Sequence, residues 1–211
     1  ELLRFYSGLW PLARSSRESS IISHIARHLK AISEEIYESA AASVEQAGMG
    51  TTLTGVFMGY HGDLESGVPL VSLDSYVFHV GDSRAFALNG SELRPLTRDH
   101  SHVQQLIESG SITEEEAYDH PQRPVITQGM GILPEVKPDV AAFRLPLDAY
   151  TVICSDGLTD LVRKPRLTEL AGEAESADAL ADALVREALA EGGKDNVTVI
   201  VLEPRVFLAS E

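Results

Sequence analysis

The chain has 211 residues, 44% of them hydrophobic, and a single cysteine, enough apolar material for one cored domain over residues 1–211 and far from the cysteine density of a disulfide-stapled fold. Its formal charge of -15 argues against nucleic acid or an anionic membrane surface as partner. No apolar run approaches the ~20 residues that cross a bilayer, and the opening Glu1-Leu2-Leu3-Arg4-Phe5-Tyr6 lacks the basic start and apolar core of a signal peptide, so the cytoplasm is the expected compartment.

Residues 19–46 read as an amphipathic helix that packs on a sheet, with Ile21, Ile25, Leu29, Ile32 and Ile36 on its apolar face. Gly48 and Gly50 end it. Residues 51–60 follow as a strand, then a loop through His61-Gly62-Asp63 and the Pro69 region. The segment Tyr76-Val77-Phe78-His79-Val80-Gly81-Asp82-Ser83-Arg84-Ala85-Phe86-Ala87-Leu88 reads as two strand halves bent at Gly81-Asp82, closed by an Asn89-Gly90 hairpin turn.

A helical pair is expected over residues 100–119. Val103, Leu106 and Ile107 form the apolar side of its first member, and Thr113 with Glu116 makes a capping box for the second. A Pro-rich loop after Gly131 leads to a strand over residues 141–145. A second long helix spans residues 176–190, capped by Ser176 and burying Leu180, Leu184, Ala188 and Leu189. Hairpins, two long helices and a strand returning at the C-terminal side predict an α+β sandwich.

Two junctions carry chemistry. The apolar run Val152-Ile153-Cys154 stops at Ser155-Asp156-Gly157, a buried strand that delivers a carboxylate to the sheet rim, where a hard metal ion could be held. Asp195, after Gly192-Gly193-Lys194, precedes the strand Val197-Thr198-Val199-Ile200-Val201-Leu202, so two antiparallel neighbours would bring Asp156 and Asp195 to one rim. Cys154 reads as a small buried hydrophobe. Asp82 reads as part of a structural bend whose carboxylate satisfies backbone donors, Asp160 as a residue that caps or hydrogen-bonds locally after the turn, and Arg123 as either a phosphate anchor or, the favoured reading, a surface partner of a carboxylate. His120 at a loop edge is either a proton donor or a solvated structural group.

The ordered motifs Gly48-Met49-Gly50-Thr51-Thr52, Val80-Gly81-Asp82-Ser83-Arg84, Leu96-Thr97-Arg98-Asp99-His100-Ser101, His120-Pro121-Gln122-Arg123, Cys154-Ser155-Asp156-Gly157-Leu158-Thr159-Asp160 and Gly193-Lys194-Asp195-Asn196-Val197-Thr198-Val199 resemble bacterial metal-dependent (type 2C) serine/threonine protein phosphatases, with the stage II sporulation E-type phosphatases as relatives in the same superfamily. The resemblance implies two antiparallel sheets packed face to face and flanked by helices, with metals in a cleft at one end and a mobile flap over residues 100–119. It implies two Mg²⁺ or Mn²⁺ ions held by Asp156 and Asp195, which serve as metal ligands and catalytic residues, and a third, weaker ion near Asp99; the alternative for Asp99 is a helix N-cap. Hard ions with oxygen ligands would make water nucleophilic and neutralise a phosphoryl group, so the implied substrate is a phosphoprotein.

The chain departs from the family pattern at its start. No Asp precedes Asp63, and where a bridging Asp-Gly motif is expected the sequence reads Ser7-Gly8-Leu9-Trp10-Pro11-Leu12-Ala13, with Arg4 as the one candidate phosphate anchor before it. The N-terminal strands therefore read as short or absent. Two functional classes follow: a metal-dependent phosphatase acting on phosphoserine and phosphothreonine, or a pseudophosphatase that binds a phosphoprotein as a regulatory module without turning it over.

Overall fold

The first helix, α1 (Ser16–Ala42), and the strand after it, β1 (Leu53–Gly59), flank a short 3-10 turn at Val44–Gln46. The computed structural model describes residues 16–59, 72–146 and 149–203; Arg4, the Ser7 to Ala13 stretch and the expected loop at His61 and Pro69 lie outside them. β2 (Ser72–Val80) and β3 (Arg84–Leu88) are the two halves of the bent strand, and β4 (Leu93–Pro95) completes a hairpin with β3. The short helices α2 (His102–Glu108) and α3 (Glu114–Tyr118) follow, then β5 (Asp139–Pro146), β6 (Tyr150–Cys154), α4 (Asp156–Thr159), α5 (Lys164–Glu173), α6 (Ala177–Ala190) and β7 (Val199–Leu202).

Among the described residues the strands form two antiparallel sheets, one ordered β1-β2-β5 and the other β4-β3-β6-β7. The bend at Gly81-Asp82 passes the chain from the first sheet to the second. Alternation along each strand sorts the core. Ala85 and Ala87 of β3 meet Val77 of β2 and Ala141 and Phe143 of β5 between the sheets. The intervening Phe86 and Leu88 join Val152 and Cys154 of β6 under α5 and α6, against Leu167, Leu170, Leu180 and Leu184. Strands buried on both faces read as continuous apolar runs, which is why β3 and β6 look alike in the sequence. α1 covers the first sheet, lying against β5 and β2. The expected α+β sandwich, with two packed antiparallel sheets flanked by helices, is the observed architecture. No described helix is long and apolar enough to cross a membrane.

Three local expectations need correction. The buried stripe of α1 runs through Leu29, Ser33 and Ala40, while Ile32 is 47% exposed. Ser33 takes the inward place because its Oγ accepts a hydrogen bond from Gly131 N–H at 2.9 Å, a polar demand that hydrophobic periodicity does not register. Leu189, at the end of α6, is exposed, whereas Leu180, Leu184 and Ala188 are fully buried as expected. Asn89 shapes a four-residue turn, its side chain accepting from the backbone N–H of Ser91 and Glu92. α5 had no counterpart in the sequence reading. The Ser176 cap and the Thr113–Glu116 capping box are present as expected.

Candidate metal centre

β6 and β7 are antiparallel neighbours, paired to Cys154↔Val199, and beyond that pair side-chain and backbone hydrogen bonds keep them joined. Ser155 N–H donates to Thr198 O at 3.1 Å, Ser155 Oγ donates to Asn196 O at 3.0 Å, and Thr198 N–H donates to Ser155 Oγ at 3.0 Å. A Cβ on Gly157 would stand 2.4 Å from Asn196 O, so only glycine allows the chains to approach this closely. Asp156, the first residue of α4, and Asp195, just ahead of β7, thus share one rim. Each has one oxygen tied locally: Asp156 Oδ1 accepts Gly157 N–H at 2.9 Å and Asp195 Oδ1 accepts Asn196 N–H at 2.7 Å. Burial first, then the charges of Asp160 and Asp195, push the Asp156 carboxyl above its ordinary range.

Asp82 joins them, which the sequence did not reveal. Burial and the facing carboxylates of Asp156 and Asp99 push it up to about 6. Its importance comes from what it faces across the fold, and no signal within five residues of it carries that information.

Asp99 lines the same cavity as Asp82, Asp156 and Asp195 and is paired there with Arg84. Arg84 Nε reaches its two oxygens at 2.9 and 3.1 Å, and Arg84 Nη2 reaches Oδ2 at 2.6 Å. Burial works against the guanidinium charge, but Asp99 outweighs it and raises Arg84 above its ordinary value. Asp99 is not an N-cap: Ser101 caps α2 by accepting Gln104 N–H. Asp160 caps the C-terminal end of α4 as expected, its N–H donating to Asp156 O at 2.8 Å, and its Oδ1 also accepts from Arg123 Nη2 at 2.5 Å, which makes Arg123 the pairing residue expected of it. His120 stays within its own turn, its Nδ1 accepting Gln122 N–H at 3.2 Å.

α2, α3 and the loop to Arg123 form one wall of a cavity of about 290 Å³, which has Asp82, Asp156 and Asp195 at its polar end and Phe86, Val103 and Leu167 among its apolar lining. Besides Arg123–Asp160, Lys164–Glu114 at 2.5 Å ties this wall to α5, and the Arg163 guanidinium lies 3.4 Å from the centre of the Tyr118 ring. Cys154 is buried beneath the rim, where burial pushes its thiol up to about 12.

Three aspartates that repel one another around a cavity, with no nitrogen or sulfur in the set, suit a hard divalent cation such as Mg²⁺ or Mn²⁺, whose charge would relieve that repulsion. Among the described residues no three His, Cys, Asp or Glu side chains gather tightly enough to complete a site alone. Mg²⁺ keeps several waters and takes as few as one or two protein carboxylates, and Asp156 with Asp82 or Asp195 supplies that many oxygen ligands.

Comparison with known proteins gives the family. Residues 15–205 match the family model of stage II sporulation protein E. The serine/threonine phosphatase stp of Listeria welshimeri is 30% identical over 181 residues, which are 85% of this chain and 66% of that protein; the chain thus spans just under two thirds of that relative's length. The crystal structure of the serine/threonine phosphatase Stp1 from Staphylococcus aureus superposes with a TM-score of 0.76 at 33% identity, covering 90% of this chain and 70% of that one. The catalytic domain of the serine/threonine protein phosphatase PstP, solved in complex with two manganese ions, superposes with a TM-score of 0.69 at 27% identity, covering 95% of this chain and 77% of that one. The chain belongs to the stage II sporulation protein E family, among the bacterial type 2C serine/threonine phosphatases.

Proposed function

We propose that this chain is a phosphoprotein phosphatase that hydrolyses phosphoserine and phosphothreonine, with Asp156, Asp195 and Asp82 holding two Mn²⁺ or Mg²⁺ ions at the cavity rim. The observation that carries the reading is the convergence of these carboxylates on one cavity, in a fold whose relatives are named serine/threonine phosphatases. The bound ions would supply a nucleophilic water and neutralise the phosphoryl charge.

The chain's own residues provide placement. Local hydrogen bonds fix one oxygen each of Asp156 and Asp195, and both residues line the cavity. Arg84 pairs with Asp99, which supports reading Asp82 as a further carboxylate beside Asp156 and Asp195, with Asp99 kept for a third, weaker ion. The residues of α2 and α3 that line the cavity, among them Val103, Ile107 and Ala117, would supply apolar contact to a phosphopeptide bound beside the carboxylates. The binding-module alternative has no support among these relatives, whose names are those of phosphatases.

Hydrolysis of a phosphothreonine peptide by the purified chain with and without Mn²⁺, using Asp156→Ala as the blank, tests the reading. Turnover that needs Mn²⁺ and falls to background in Asp156→Ala is the expected result. Absence of turnover in the parent chain at saturating Mn²⁺ would overturn it.

A further inference from the structure

The buried His79 and the partly buried His100 lie behind the turn that carries Asp82, with ring centres 4.9 Å apart, and their hydrogen bonds fix which nitrogen of each bears the proton. Thr54 has one hydroxyl hydrogen and donates it to Ser83 O at 2.8 Å, so the 2.7 Å contact between Thr54 Oγ1 and His79 Nδ1 must be donated by the imidazole N–H. His100 has the opposite arrangement. Its Nδ1 accepts Gly81 N–H at 3.2 Å and so carries no hydrogen, while Nε2 faces Asp139 Oδ2 at 3.3 Å and donates to it. His100 also grips Gly81 through the main chain, donating its own N–H to Gly81 O at 2.7 Å. Both polar groups of Gly81 are thereby held by one residue. On the far side of the turn, Thr52 Oγ1 meets Ser83 Oγ at 2.7 Å. Asp82 sits between two clamped neighbours, Gly81 and Ser83.

We propose that His100, oriented by Asp139, is a positioning residue that aims the Asp82 carboxylate at Asp156 through its two-point grip on Gly81. The inference rests on the metal site proposed above and adds to it a specific device: an imidazole presenting a bare Nδ1 as acceptor. A supporting partner of this kind is worth about ten- to a hundredfold in metal affinity where it has been removed.

The test is Mn²⁺ affinity of the full chain, read from the free-ion signal in electron paramagnetic resonance, with thermal melts recorded alongside. Asn and Gln separate the two ring nitrogens, because an Asn amide oxygen occupies the Nδ1 position whereas a Gln amide extends to the Nε2 position beside Asp139. His100→Asn is expected to keep parental affinity and His100→Gln to lose about ten- to a hundredfold. Adding His100→Gln to Asp82→Asn is expected to cost no further affinity. Parental affinity in His100→Gln, equal losses in the Asn and Gln variants, or a loss that adds to that of Asp82→Asn would each overturn the proposal while leaving the metal site intact. Asp156→Asn distinguishes the other failure: if it too binds Mn²⁺ like the parent, the site reading falls and the positioning role falls with it. Both His100 variants retain a polar side chain of similar size, so the comparison survives even where His100→Leu fails to fold.

Discussion

The metal rim holds its carboxylates in two different ways. Asp156 and Asp195 sit where two paired strands run out, and the strands themselves position them, through Ser155 cross-links and a glycine that lets the chains touch. Asp82 sits on a turn between strands of different sheets, where no ladder exists, and side chains from β1 and from the segment before α2 take over the task. The difference teaches that a rim built on a ladder is placed by residues within or next to the paired strands, such as Ser155 and Gly157, whereas a rim built on a turn depends on particular residues arriving from elsewhere in the chain.

Gly81→Ala should produce the largest break. Gly81 has φ of +112°, and a Cβ there would lie 2.4 Å from Thr52 Cγ2, so strain and overpacking together should cost about 3 kcal/mol. Chemical denaturation should show that loss, with Mn²⁺ affinity falling in parallel because the turn must move. Gly157→Ala strikes the ladder side. Overpacking against Asn196 O should cost about 2 kcal/mol and spread Asp156 from Asp195, so a parental melting temperature would contradict the tight approach of the two chains. Thr54→Val leaves the His79 Nδ1–H without its acceptor and Ser83 O without its donor, at about 1–2 kcal/mol. Urea melts should find this cost without any change in the β6–β7 pairing, as seen by amide exchange at Val199 to Leu202.

The smallest effect is one of pH, and it sharpens the contrast. Asp82 binds its proton more tightly in the folded chain, about 6 against an ordinary 3.8, so its contribution to stability falls as pH rises through that window. His79 has the opposite sign: burial first, then the His100 charge, lowers it from 6.5 to about 4, so its contribution is complete above 6.5 and is lost as pH falls toward 4. Between pH 4 and 6 the two oppose each other in the metal-free chain. Asp82→Asn removes one of them, and its stability should then rise with pH more steeply than the parent's across that interval. Parallel profiles for the two proteins would show that Asp82 is not confined as described.

Much of this was legible from the chain alone. The apolar run ending at Asp156 and the glycines before Asp195 announce their rim, because a buried strand and its neighbour leave a continuous local trace. The sandwich follows from the same runs. Asp82 was read as a bend because its four-residue context is that of any turn, and its meaning lies in Asp156, 74 positions away in the sequence. The partner of Asp99 is hidden for the same reason: the Arg84 guanidinium that bonds both its oxygens comes from β3, 15 positions earlier. Ser33 displaced Ile32 from the inward face of α1 because a backbone N–H at Gly131 needed an acceptor. What escaped the sequence in each case was a polar partner brought in by tertiary structure.

Cys154 gives the molecule a built-in clock. It is the chain's sole thiol, it is 2% exposed, and it lies on β6 two residues before Asp156. With the thiol pushed up to about 12, almost no thiolate exists in the closed protein, so alkylating reagents can react only when the strand opens. The rate of labelling at this one atom therefore counts openings of the strand that carries Asp156. A divalent ion that ties Asp156 to its neighbours should slow that count, so a mass shift measured over time would register metal capture with no substrate present.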